Sequence, residues 1–356
     1  MTTVISHRLK APYLNFIGDI DSTTYAKTGL GITQWRRELV AGQLRFPGNS
    51  LDLGVPDMTI DQAVKANVKS LIIGVAPIGG TIDQHWEAEL IKAAEGGLDI
   101  VSGLHSRLEA MPGLVEAAAG SNAQLINVRI PPNPIPIANG KKRSGRRVLM
   151  VGTDCAVGKK YTALALTESF DKASINATFR ATGQTGIMIA GTGIPIDAVV
   201  SDFVAGAAEI ISPDNEPDHW DVIEGQGSLY NPSYAGVSLG LLHGSQPDAI
   251  VVCHDATRQR IDSCPDFPIP SIKDCIDLNL RCGRLTNPNI ICVGISVNTS
   301  GLASKERNRY LQALARETGL PCVDSVIEGC DTIAKHILDH FHSNNQTALS
   351  EQNSYA

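Results

Sequence analysis

Short apolar runs alternate with segments of helical length along most of the chain. Each run has the length and composition of a buried strand. The predicted strands are Ser70–Val75, Asp99–Ser102, Gln124–Val128, Val148–Val151, Ala177–Ala181, Val222–Glu224, Ala249–Cys253 and Asn289–Ser296. Because strands that alternate with helices form parallel sheets, this pattern predicts an α/β protein.

A segment rich in proline and charge, residues 131–147, interrupts this alternation and predicts a domain linker. We therefore expect a parallel-sheet domain over residues 1–130 and a doubly wound α/β domain over residues 148–342. The last helix is predicted near Thr332–Phe341, and the polar residues 343–356 predict a flexible tail. The basic run Lys141–Arg147 is expected to be solvated.

The strand predicted at Val148–Val151 leads into a loop bounded by glycines, and a Gly-Lys pair opens the next helix. Glycine lets the backbone turn several N–H groups toward an anion, and Lys159 adds a charge at the positive end of the helix dipole. The segment Gly152–Lys160, called the phosphate cradle below, therefore predicts binding of a phosphorylated ligand. The predicted ligand contacts are Gly152, Thr153, Cys155, Ala156, Val157, Gly158, Lys159, Lys160, Tyr161 and Thr162.

The cradle departs from the pattern of nucleotide hydrolases directly after its Gly-Lys pair. Those enzymes place a Ser or Thr there to hold Mg²⁺, whereas this chain has Lys160, with the hydroxyl of Thr162 two residues farther on. The sequence therefore predicts a phosphate site that has lost a metal ligand.

Loops at the carboxyl ends of parallel strands converge on one site, so those of the second domain supply the candidate chemistry. Glu224 and His254 each follow a predicted strand and are candidate general bases, with Asp255 beside His254 as a possible orienting group. Asp154, inside the cradle, is a third catalytic candidate. For Glu224, the alternative is a carboxylate that caps a helix.

Two arginines lie at predicted strand ends and are candidates to hold an acidic substrate. A guanidinium binds a carboxylate through two parallel hydrogen bonds, so Arg180 and Arg258 suit this task. For each, a structural ion pair is an equal alternative. Gln184, Thr185 and Gly186 are predicted to line the same substrate site.

The first domain carries weaker signals. Lys27–Gly31 resembles a small anion nest, and Ala76–Gly80 is a loop at the end of a predicted strand. No Gly-x-Gly-x-x-Gly precedes an acidic residue at the required distance, so we predict no dinucleotide site.

Composition narrows the class of protein. The 356 residues include 43% hydrophobic residues and carry a net charge of −7, which argues against general nucleic-acid binding. We find no signal peptide and no apolar stretch of membrane-spanning length, and we expect a cytoplasmic protein that does not bind membranes. Eight cysteines without paired zinc spacing are expected to be reduced, with Cys155 filling space in its loop.

Two resemblances extend this interpretation. Gly152–Lys159 and Glu224–Gly227 resemble the dethiobiotin-synthetase branch of P-loop proteins. A closer resemblance, spanning nearly the whole chain, is to a bacterial and archaeal two-domain P-loop family that includes D-glutamate N-acetyltransferases. The residues that carry it are Lys27–Gly31, Ala181–Gly186, Asp197–Phe203, Glu224–Gly227 and His254–Arg258.

The resemblance implies a Rossmann-like N-terminal domain and a C-terminal P-loop α/β domain. It also implies transfer of acetyl from acetyl-CoA to the amine of D-glutamate, with no metal required, and a partner dehydrogenase that uses N-acetyl-D-glutamate. On this interpretation the phosphate cradle holds the CoA pyrophosphate. The size of the parallel-sheet pair further predicts a homo-oligomer.

Two other functions remain open on the sequence. One is an ATP-dependent kinase or ligase of the dethiobiotin-synthetase type, with Mg²⁺ held by Thr162, Asp154 or Glu224. The other is a nucleotide sensor without turnover.

Overall fold

The computed structural model describes residues 5, 6, 9–23 and 25–341. They form two compact units. The N-terminal unit contains the chain up to Asn133 and the later segment Gly183–Ala198, and the P-loop unit contains Pro134–Thr182 and the chain from Val199 onward. Each unit has a parallel sheet with helices, so the α/β prediction is confirmed. The predicted tail, 343–356, lies outside the described residues.

The strands are numbered along the chain. They are β1 (Ile5–Ser6), β2 (Tyr13–Gly18), β3 (Val40–Arg45), β4 (Ser70–Ile73), β5 (Asp99–Ser102), β6 (Leu125–Asn127), β7 (Arg146–Gly152), β8 (Ala177–Arg180), β9 (Thr192–Gly193), β10 (Trp220–Ile223), β11 (Ala249–Asp255), β12 (Arg260–Ile261), β13 (Cys264–Pro268), β14 (Ile291–Asn298) and β15 (Cys322–Val323).

The helices are numbered in the same way. They are α1 (Lys27–Trp35), α2 (Ile60–Lys65), α3 (Glu87–Glu95), α4 (Pro112–Ser121), α5 (Lys159–Lys172), α6 (Gln184–Ala190), α7 (Val204–Ile211), α8 (Ala235–Ser245), α9 (Ile272–Gly283), α10 (Ser304–Thr318) and α11 (331–341).

The sheet of the N-terminal unit has the order β3-β2-β4-β5-β6, with every neighbouring pair parallel. All six residues of β2 are buried, which makes it the apolar centre of this unit. The prediction omitted both β2 and β3. The short strands β1 and β9 of this unit form a separate antiparallel pair that is not part of the five-stranded sheet.

The segment Gly183–Ala198 belongs to the N-terminal unit, although the predicted division placed it in the second domain. The Thr28 and Thr185 hydroxyls are 2.9 Å apart and hydrogen-bonded, which links α1 to α6. Arg36 Nε donates to the Ile189 carbonyl at 3.0 Å. These contacts hold the segment against α1, although the first part of the N-terminal unit ends at Asn133, fifty residues before the segment begins.

The predicted linker is also largely structured, because Pro134–Gly145 packs within the P-loop unit. Arg143 donates from Nε to the Ser212 carbonyl at 2.6 Å and from Nη2 to the Gly244 carbonyl at 2.8 Å. Arg147 is fully buried. The expectation that this basic run is solvated was therefore wrong for Arg143 and Arg147, whose guanidinium groups donate to backbone carbonyls, whereas Lys141 and Lys142 are exposed.

The P-loop unit is built on a sheet with the order β15-β14-β11-β7-β10-β8, again entirely parallel. Strand β7 lies between β10 and β11, so their carboxyl ends lie side by side. The chain first moves from β7 to one side of the sheet and then crosses to the other after β10. Ligands of open α/β sheets bind at such a reversal.

Candidate active site

The phosphate cradle connects β7 to α5 with the geometry expected of an anion site. Gly158 has φ +103° at the residue before α5, and Ala156 has φ +53°. Left-handed residues within a tight loop turn successive N–H groups inward, as in anion-binding nests. Gly152 is required for another reason, since a Cβ there would lie 2.9 Å from Val157 and 3.1 Å from the Cys253 carbonyl.

Lys159 is the first residue of α5 and is 7% exposed. Its Nζ donates to the Asp154 carbonyl at 2.7 Å, across the loop. Burial lowers the pKa of Lys159, because a charged ammonium is poorly solvated there. A phosphate group in the cradle would repay that cost, so the arrangement fits an anionic ligand. Beside it, Lys160 lies over the Tyr161 ring at 4.3 Å.

The thiol of Cys155 is half-buried beside Lys159 in this loop. Burial is the largest influence and raises the pKa of its thiol to about 11, despite the nearby charge of Lys159. A protonated thiol is a weak nucleophile, which favours the prediction that Cys155 fills space.

Asp154 is fully buried and accepts four hydrogen bonds. Oδ1 accepts from the Cys155 N–H at 2.7 Å and from Asn231 Nδ2 at 3.0 Å. Oδ2 accepts from Arg258 Nη1 at 2.9 Å and from the Asp262 N–H at 2.7 Å. Burial opposes ionisation, but the hydrogen bonds outweigh it and hold the pKa of Asp154 below its ordinary value. These contacts favour a positioning role that ties three loops together.

Arg258 is part of the same network and also donates to the Cys155 carbonyl at 2.6 Å. Arg180, at the end of β8, donates from Nε to Asp221 at 2.7 Å, and Asp221 is itself almost fully buried. Both predicted substrate clamps thus have a carboxylate partner within the protein, as the structural alternative anticipated.

Glu224 directly follows β10 and is 4% exposed. Its Oε2 accepts from the Thr182 N–H at 2.9 Å, while the Thr182 hydroxyl donates to the Glu224 carbonyl at 2.8 Å. Gln226 Nε2 donates to the same hydroxyl at 3.0 Å. The loops after β8 and β10 are therefore joined beside the cradle, and Glu224 has a fixed place among them.

Gly225 is held against the cradle strand. A Cβ on this residue would lie 1.6 Å from the Met150 carbonyl oxygen and 2.9 Å from the Lys159 side chain. Only glycine lets the Glu224 turn approach β7 this closely.

Replacing Gly225 with alanine is therefore expected to destabilise the P-loop unit by about 1–3 kcal/mol, because backbone must move to relieve the overlap. Urea unfolding followed by circular dichroism measures this. Gly236→Ala is the matched control, since a Cβ there meets no atom within 4 Å. Equal unfolding midpoints for the two variants would contradict the expectation.

His254 lies near the end of β11, on the other side of the cradle strand, and is 8% exposed. Its Nδ1 is 3.0 Å from the Thr153 hydroxyl, and its ring is nearly parallel to that of Tyr310, with centroids 6.5 Å apart. Burial lowers the pKa of His254, so the imidazole is neutral at pH 7. Asp255 instead bonds Thr257 and Asn298, so it does not orient His254 through these contacts.

Three other predicted substrate residues lie in the N-terminal unit. Thr185 is buried against Thr28 in α1, as described above. A Cβ on Gly103 would lie 2.8 Å from the Gln184 side chain, so Gln184 packs closely on the loop after β5. Gly186 is buried within α6.

Several residues of the site escaped sequence reasoning. Asn231 and Asp262 complete the Asp154 network, Thr182 fixes Glu224, and Tyr310 covers His254. Only Thr182 carried a signal, since it follows a predicted strand directly. The others come from loops and a helix more than fifty residues from their partners.

Among the described residues, no group of three or more His, Cys, Asp or Glu is arranged to hold a metal ion. In the same part of the chain, no helix combines the length and apolarity needed to cross a membrane.

Comparison with known families identifies the two units. The P-loop domain described as a domain of unknown function, DUF1611_C, matches residues 136–334, and the Rossmann-like domain DUF1611_N matches residues 46–131. The chain belongs to the DUF1611 family. The predicted Rossmann-like and P-loop fold classes are confirmed. A crystal structure of a DUF1611 family protein from Anabaena variabilis, 30% identical, has a TM-score of 0.84 and covers 93% of this chain and 100% of that one.

Two relatives of this chain carry the name D-glutamate N-acetyltransferase. The relative from Tritonibacter scottomollicae is 46% identical over 321 residues, which is 90% of this chain and 96% of the relative. The relative from a Pseudoalteromonas species is 44% identical over 330 residues, or 93% and 99%. The predicted family is confirmed, and so is the predicted enzyme class, an acyltransferase.

Proposed function

We propose that this enzyme transfers the acetyl group of acetyl-CoA to the amine of D-glutamate. The observation that carries the proposal is the identity of 46% and 44%, over nine-tenths of the chain, to two relatives named for this activity. The acceptor and the acetylation follow from those names, and the donor from the chemistry of the cradle.

The phosphate cradle supports acetyl-CoA as the donor. Its inward-turned backbone and the ammonium of Lys159 suit the pyrophosphate of CoA, and Lys160 supplies a second positive charge at the same helix start. Acyl transfer requires no hydrolysis of that pyrophosphate, so the substitution of Lys160 for the usual Mg²⁺-binding hydroxyl leaves this function intact.

His254 is the proposed general base. The ammonium of D-glutamate must lose a proton before its nitrogen attacks the thioester carbonyl, and a neutral buried imidazole can accept that proton. In the tautomer that donates from Nδ1 to Thr153, Nε2 is the accepting atom. As the C–N bond forms and the C–S bond breaks, the thiolate of CoA leaves and takes up a proton.

Glu224 is a second proposed base, and backbone N–H groups of the site would stabilise the oxyanion that forms on the carbonyl. Arg180 remains a proposed ligand of a substrate carboxylate, with Asp221 orienting it through Nε. Asp154 and Arg258 are proposed to position the cradle, because each is engaged by the other.

The contacts of two residues weigh against the kinase or ligase alternative. The Thr162 hydroxyl donates to Ser296 at 2.8 Å and also lies against Ser325 and Cys253 inside the unit. Asp154 is saturated by its four hydrogen bonds. Two of the three residues predicted to hold Mg²⁺ are thus committed elsewhere.

Thiol release from acetyl-CoA tests the function directly. The enzyme should release CoA with D-glutamate in the presence of EDTA, and much less with L-glutamate. Consumption of ATP with Mg²⁺, without thiol release, would overturn the proposal in favour of a kinase or ligase.

We also propose a homo-oligomer, a cytoplasmic location and a downstream dehydrogenase acting on N-acetyl-D-glutamate.

A further inference from the structure

A cavity lies wholly in the N-terminal unit, where β5 and β6 end. Its volume is about 200 Å³, and its polar lining consists of His105, Arg107, Asn127 and Arg129. At roughly 30 Å³ per water molecule, this space corresponds to about seven waters, the size of a small metabolite. The carboxyl ends of parallel strands are where α/β folds bind ligands.

The charges around this cavity favour an anion. Arg107 and His105 are exposed at its edge. Arg129 donates from Nη1 to the Gly103 carbonyl at 3.3 Å and pairs through Nη2 with Asp197. Its Nε is buried and has no hydrogen-bond partner among the residues that the structure describes. The Arg129 side chain is 15% exposed, and each of its Nη atoms carries a second N–H that an acceptor in the cavity could take up.

The remaining lining suits a short carbon chain between charged ends. Leu104, Ile130 and Pro131 contribute apolar surface beside the two arginines. Asn127 is already used, since its amide donates to both Glu109 carboxylate oxygens at 2.9 Å and accepts from the Leu108 N–H. Recognition is therefore left to the arginines, whose planar forks match carboxylates.

We propose that this cavity binds a small dicarboxylate, with Arg107 and Arg129 as its carboxylate ligands. Its ligand is a dicarboxylate effector, bound at a site separate from that of the acceptor proposed above.

Isothermal titration calorimetry tests the proposal with D-glutamate, glutarate and inorganic phosphate, each with and without CoA. Arg107→Gln, on an exposed side chain, should weaken dicarboxylate binding at least about tenfold, and Arg129→Lys should also weaken it by removing the fork. Arg316→Gln, on an exposed arginine of α10, is the matched control and should leave the Kd unchanged.

Kinetics then test the effector role. Glutarate should change kcat without competing with D-glutamate, and Arg107→Gln should abolish this change. Dicarboxylate binding that depends on Arg107 but occurs without acetyl transfer would keep this site while refuting the proposed function.

Three results would overturn the inference. The first is the absence of dicarboxylate binding to the wild-type enzyme in both conditions. The second is a Kd that Arg107→Gln leaves unchanged while acetyl transfer proceeds normally, in which case the proposed function survives alone. The third is tighter binding of phosphate than of either dicarboxylate.

Discussion

Replacing His254 with glutamine is expected to lower kcat for acetyl transfer by about 10²- to 10⁴-fold, the usual contribution of a positioned general base. Glutamine keeps the size and a polar atom but cannot accept a proton at neutral pH. The wild-type rate should fall at low pH, below about 6.5, because burial lowers the pKa of His254 and only the neutral imidazole is active. Steady-state thiol release across pH measures both effects.

His336→Gln, on α11, is the matched control and should keep the wild-type kcat and pH profile. Glu224→Gln distinguishes the two proposed bases. If His254→Gln retains kcat within threefold and Glu224→Gln loses activity, the base is Glu224 and His254 has a positioning role through Thr153.

Replacing Lys159 with methionine is expected to raise the KM for acetyl-CoA by about 10- to 100-fold, since a hydrogen bond to a charged phosphate is lost. Methionine fills similar space and carries no charge, so the variant avoids the cost of burying the Lys159 ammonium, the same cost that lowers its pKa. Folding should therefore persist, as a thermal unfolding scan can verify. Donor kinetics with acetyl-CoA provide the measurement.

Acetyl-pantetheine makes this test specific, because it carries the same thioester without a pyrophosphate. Wild-type enzyme and Lys159→Met should use it equally well. A variant impaired to the same extent with both donors would show that Lys159 acts on the reacting centre and not on phosphate. Lys273→Met, on the exposed face of α9, is the control for charge removal alone.

The sequence predicted strands best where apolar residues run without interruption. Strand β7 is an example, since Val148–Val151 is continuous and fully buried. Strands β2 and β3 were not predicted from the sequence, because each buries a polar side chain. Asn15 donates to Thr33, and Gln43 bonds Asp52, the Val55 carbonyl and the Leu53 N–H. Most of these partners lie ten or more residues from Asn15 or Gln43 in the sequence, so the buried polar residues leave no periodic hydrophobic pattern that would predict the strands.

The candidate site was predictable to the extent that it follows the ends of strands. Glu224 and His254 both lie there, on either side of the cradle strand. The partners of the arginines were not predictable. Arg180 pairs with Asp221 from a neighbouring strand, and Arg258 pairs with Asp154 from a loop 104 residues earlier. A local sequence pattern shows that a guanidinium is present but not which carboxylate reaches it.

The placement of Gly183–Ala198 has a consequence for biosynthesis. The N-terminal unit is a discontinuous domain, interrupted in the chain by Pro134–Thr182. A ribosome must therefore make the phosphate cradle and α5 before it supplies α6, the helix that pairs with α1 through Thr28 and Thr185. Fragments that end at residue 133 lack this helix, so the first domain of the chain is completed only after the second has begun to emerge.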